Sequence, residues 1–263
     1  MGMAAAADGI DGPACARHDH GRTEKLMNDT SDVGSDESFA DPSEVSEVIW
    51  PQPGMSIHAE SGVREAVAYV NFGDVWHGYS TGFRRAGLTL VAALVETNRD
   101  QDYLVYPVIY CFRHHIELQL KSLIMRVSLL LGSDEDLRAT HRLSVLWNLC
   151  RPLIERALGP DPALDAAASL INEIDALDPN GETFRYPIDT KGAPTLPESV
   201  RQIDLLSFAR GAEAVAALLE AAESAADAAL DDKAEVAALR EEMRQEMAWY
   251  YDEVDHSVGA AEQ

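Results

Sequence analysis

"YPVIYCFRHHIELQLKSLIMRVSLLLG", residues 106–132, decides the fold. At about 100° per residue, Ile109, Ile116, Leu120, Leu123, Ile124, Val127, Leu130 and Leu131 gather on one face of a helix. Pro107 suits a first turn, so the helix is expected to begin near it, and Gly132 suits the position just past its end. Arg113 falls at the margin of the apolar face. His114, Glu117 and Lys121 follow it within about a quarter-turn, with Ser128 beside them. His115, Gln119, Ser122 and Arg126 point elsewhere, and His115 is expected as a plain surface residue.

The flanking segments repeat the helical period. Residues 74–97 predict a helix on Phe83, Ala86, Leu90 and Leu94. Thr140 is placed to cap a third, with Leu143, Leu146, Trp147, Cys150 and Ile154 as its apolar stripe. A fourth fits 161–177, with Asp161 as cap and Pro162 in the first turn. A long loop follows at 178–199, and a fifth helix starts near Ile203. A sixth is expected over about 233–255. There Val236, Leu239, Met243, Met247, Tyr250 and Val254 advance by three or four, a stripe suited to the bundle or to another copy of itself. "AVAYVNF" (66–72) is the one alternating stretch, and it equally suits a helix start. The expected fold is all-α: four to five long helices over 63–230, a disordered acidic tail at 1–45, a linker at 46–62 able to dock through Trp50, and an amphipathic C-terminal helix at 231–263.

Composition narrows the function classes. The net charge of −24 repels nucleic acid and anionic membranes where it is spread evenly. It is not even: acids crowd 28–47 and 213–255, whereas 104–158 is mildly basic and carries His114, His115 and His141. No apolar run is long enough to span a bilayer, and no basic leader precedes an apolar core, so neither a membrane span nor a signal peptide is expected. Cys15, Cys111 and Cys150, odd in number and far apart, predict reduced thiols and a cytoplasmic chain. Metal and phosphate-loop motifs are missing, so no metal and no cofactor is expected. "GYSTG" (78–82) matches a nucleophile-elbow pattern, but that device needs a strand-to-helix turn, and chance is the better account.

Two candidate sites remain. Arg113, Glu117 and Lys121, at i, i+4 and i+8, make two helical ion pairs worth about 0.3–0.5 kcal/mol each, an ordinary polar seam. As chemistry, Arg113 would hold an anion, His114 would move a proton and Glu117 would orient it, with Lys121 and His141 binding substrate beside them. His141, at the start of the third helix, is expected two to three turns from Arg113 and out of contact with it. In "FRYPID" (184–189), Arg185 and Tyr186 either face a phosphate or carboxylate or anchor the loop.

The blocks "GYSTGFRRAGLTLV" (78–91), "YPVIYCFRHHIELQLKSLI" (106–124), "HRLSVLW" (141–147), "EIDALDPNGETFRYPID" (173–189) and "IDLLSF" (203–208) resemble a group of uncharacterised bacterial HEPN-like proteins. The resemblance covers about 70–220. It implies a HEPN-type bundle, a fold linked to RNA cleavage, toxin–antitoxin pairs and phage defence. HEPN ribonucleases carry an R-x(4–6)-H pair, and none of the eight histidines here has an arginine at that spacing. Two expectations follow. One is RNA binding or metal-independent RNA cleavage through Arg113, His114, Glu117 and Arg185. The other is a non-catalytic module that dimerises or binds a protein partner through its last helix.

Overall fold

The computed structural model describes residues 50–58, 62–70, 73–133 and 140–261, with side chains as far as Tyr251. The chain divides into two units, Met1–Ala66 and Val67–Gln263. In the first, the described residues hold turns and one 3₁₀ turn at Arg64–Ala66, and Trp50 is exposed. The expected disordered tail at 1–45 lies outside the described residues.

The second unit is all-α. Among its described residues the helices are α1 (Val75–Thr97), α2 (Gln101–Leu131), α3 (Leu143–Leu158), α4 (Ala163–Leu177) and α5 (Leu205–Ala261). Among the described residues the sole β pairing is an isolated bridge between Ile188 and Pro194, in the long loop. Several ends follow their local chemistry. Asp74 accepts from the His77 amide to open α1, Asp161 accepts from the Ala163 amide before α4, and Asp204 accepts from the Leu206 and Ser207 amides before α5. Gly132 closes α2 at φ +64°.

Two boundaries differ from expectation. α2 starts six residues before Pro107, because the Asp100 carbonyl already accepts from the amides of Tyr103 and Leu104. Pro107 then lacks only the bond to the carbonyl of Tyr103, a residue 76% exposed. The expected fifth and sixth helices are one: α5 runs 57 residues, about 85 Å, without a break near 231.

α2 is the central element, packed against α1, α3 and α5. Val108, Phe112, Ile116, Leu120, Leu123, Ile124 and Val127 are buried along it. At Gly87 the Phe112 ring of α2 packs onto the backbone of α1: a Cβ there would lie 2.9 Å from Phe112 Cε2. Cys111 and Cys150 are buried free thiols. No helix among the described residues is long and apolar enough to cross a membrane.

Candidate functional site

Because α2 is packed on three sides, its polar residues form two clusters on different flanks. The first contains the expected strip. Arg113 is 1% exposed. Its Nη1 donates to Glu117 Oε2 at 2.6 Å, its Nε to the Asp178 carbonyl at 3.1 Å, and its Nη2 to the His141 carbonyl. The Asp178 carboxylate, fully buried, lies 3.5 Å from Nε through Oδ2, while Oδ1 accepts from the amides of Glu182 and Thr183. Gly181, at φ +74°, lays its backbone over the guanidinium; a Cβ there would sit 3.0 Å from Nη1. Arg113 thus fastens α2 to the loop after α4 and to the residues entering α3.

Glu117 is equally enclosed. Its Oε1 accepts from Lys121 Nζ at 2.6 Å and lies 2.9 Å from His141 Nδ1. Burial raises a carboxyl pKa, but the hydrogen bonds from Lys121, Arg113 and His141 outweigh it and hold Glu117 below its ordinary value. The contacts of His141 correct the expected separation. His141 lies beside Glu117, fifteen residues or about 22 Å back along α2 from Gly132.

His114 stands apart from this network. Its Nδ1 is 4.0 Å from Glu117 Oε2, too far for a hydrogen bond. The ring stacks on Tyr110 with centroids 5.5 Å apart and meets the edge of Phe83 at 4.5 Å. Burial, with the charges of Arg113, Lys121 and Arg185, holds its pKa below the ordinary imidazole value against the pull of Glu117. Arg185 lies 5.5 Å from the Tyr110 ring centroid and 5.1 Å from that of Tyr186, whose hydroxyl accepts from its Nη2 at 3.2 Å. The expected site residues therefore fall into a buried pair (Arg113, Glu117) bordered by half-buried Lys121 and exposed His141, and a separate aromatic group (His114, Arg185, Tyr186).

The second cluster was not expected. His115 is 2% exposed and not a surface residue, and Gln119 and Ser122 are also buried. The reason is the packing of α1 and α5 over that flank. His115 Nδ1 lies 2.9 Å from the Ser80 carbonyl and 2.8 Å from Ser80 Oγ. A carbonyl only accepts, so Nδ1 carries the proton and Nε2 is left as an acceptor. The serine of "GYSTG" is thus a helical residue of α1 tied to α2. Ser122 Oγ donates to Glu223 at 2.7 Å, and Arg126 reaches Asp74, Glu223 and Asp227, each at 2.7 Å. Arg84 makes a bidentate pair with Glu213, at 2.8 and 2.7 Å, and reaches Glu220 at 2.6 Å. Between these pairs lies a cleft of about 510 Å³. The sequence carried a signal for it: polar residues at i, i+4, i+7 and i+11 on α2 (His115, Gln119, Ser122, Arg126) and acids at the same kind of spacing on α5 (Glu220, Glu223, Asp227).

No group of three or more His, Cys, Asp or Glu side chains able to hold a metal ion occurs among the described residues. Compared with protein-family models, curated proteins and solved structures, the chain matches none.

Proposed function

We propose that the chain is a HEPN-like interaction module without catalytic activity, which pairs with a second copy of itself through the C-terminal half of α5. One observation carries this reading. A seven-residue apolar spacing runs along α5 from Phe208 to Tyr250. Val215 and Ala222 are buried in the bundle, and Val236, Met243 and Tyr250 continue the register where every residue from Asp231 to Tyr251 is exposed. Leu239 and Met247 widen that exposed stripe. Such a spacing is what two helices need to bury a common seam. Charge favours an antiparallel pair centred on Met243: Arg240 then faces Glu246 of the second copy, and Arg244 faces its Glu242. The sealing of Arg113 and Glu117 argues against their use on a substrate.

Light scattering on the full chain tests this. The expected mass is about twice 28.7 kDa, falling to the single-chain value in Met243→Glu, with helix content unchanged. A monomeric parent chain, or a dimer that survives the substitution, overturns the reading.

Arg185 favours a second reading, single-stranded RNA bound without cleavage. It makes no ion pair among the described residues and lies against the rings of Tyr110 and Tyr186 beside His114. A base stacked there is worth about 1–3 kcal/mol. Fluorescence anisotropy with a labelled RNA strand should show binding weakened about tenfold in Arg185→Ala, as one such stack requires; no binding by the parent chain removes this reading.

A further inference from the structure

The cleft between α1, α2 and α5 has chemistry that the pairing of α5 leaves unused. Five carboxylates (Asp74, Glu213, Glu220, Glu223 and Asp227) are answered by two guanidinium groups, Arg84 and Arg126. The cluster therefore has a surplus of three negative charges. Buried acceptors point the same way. His115 Nε2 and Gln119 Oε1 have no hydrogen-bond partner, although both residues line the cleft and are 2% and 4% exposed. Unsatisfied buried acceptors cost about 1–3 kcal/mol each and are relieved by a donor. An anion brings no donors and is repelled by the surplus charge. A point cation is disfavoured too, because no three ligating groups converge. Instead, Glu220, Glu223 and Asp227 are spread along α5 at i, i+3 and i+7, over about 10 Å.

From this arrangement we infer that the cleft binds an elongated organic cation, a linear aliphatic triamine. Amines separated by three or four methylenes repeat at about one helical turn, so each ammonium meets one carboxylate of α5. Three positive charges neutralise the surplus of three. The N–H donors supply what His115 and Gln119 lack, and Ser80, Ser122 and Ser224 add hydroxyls around the methylene chain.

Isothermal titration calorimetry of the full chain with spermidine at physiological salt tests the assignment. The expected result is saturable 1:1 binding, at least tenfold tighter than putrescine or magnesium chloride. Ser224→Lys places a tethered ammonium between Glu220 and Asp227, and binding should weaken at least tenfold. Ala221→Lys, the same added charge on an exposed residue outside the cleft lining, should cost no more than about twofold by general screening. Three results overturn the inference: no saturable binding, equal affinity for magnesium, or equal weakening by the two lysine variants. The last two would mark a diffuse counterion atmosphere on an acidic chain. Both variants sit at exposed positions of a helix, so loss of fold does not confuse the result.

Discussion

His114 and His115 are neighbours in sequence, yet they border two polar regions of opposite character. On the flank of Arg113, the guanidinium spends its donors on Glu117, Asp178 and the His141 carbonyl, and Glu117 spends its oxygens on Arg113, Lys121 and His141. That region balances its own charge, Arg113 and Lys121 against Glu117 and Asp178, although Asp178 Oδ2 accepts no hydrogen bond. On the flank of His115, arginines are also paired, but two buried acceptors and three negative charges are left over. The difference teaches that burial of charge is not itself a mark of a site. A charge-balanced network with no cleft beside it is a fastening; one with surplus charge beside a cavity invites a ligand.

The largest expected effect breaks the balanced region. Arg113→Met leaves the Asp178 carboxylate buried without its cation and strips Glu117 of one of its two, and should cost about 3–5 kcal/mol in urea unfolding. A cost below about 1 kcal/mol would show that the network is no fastening.

Acid separates the two regions next. Burial is the main cause that pushes His115 down to about 4, with the Ser80 carbonyl opposing and Arg84 assisting. The unfolded chain takes up this proton below about pH 6.5, and the folded chain not until about 4. The contribution of His115 is therefore full above pH 6.5 and is lost as pH falls towards 4, by about 3 kcal/mol. Glu117, held below its ordinary value, has the carboxylate pattern: its contribution is full above the unfolded value near 4.5 and fades only below it. Stability measured against pH should fall first through His115, and His115→Gln should flatten the curve between 6.5 and 4. An unchanged curve would mean that His115 is not held neutral.

The smallest effect sharpens the comparison. Ser224→Lys, which blocks the cleft, should also stabilise the free chain by about 0.5 kcal/mol through Glu220 one turn before it. A loss of stability there would show that the cleft has no charge surplus to satisfy.

Legibility in the sequence followed the range of the forces involved. The apolar period of 106–131, the cap Asp161 and the stop at Gly132 act within a turn or two, and each was readable. The ion pairs of Arg113, Glu117 and Lys121 were readable for the same reason, since i, i+4 spacing fixes them. The contact of His141 was not, because the helical period of α2 does not say where the residues entering α3 pack. Nor was the burial of His115: a helical wheel shows a bearing but not how many neighbours cover it.

By itself, the sequence determined that this chain is helical, where most of its helices lie, and that a polar seam edges the second. Helix periodicity and capping are local, so those features needed no partner. Tertiary structure alone decided that α2 is enclosed on three sides, that Arg113 is sealed by a loop sixty-five residues away, and that His115 faces a cleft shared with α5. These depend on which faces meet, a choice made by packing three helices around one, and no single helix encodes it.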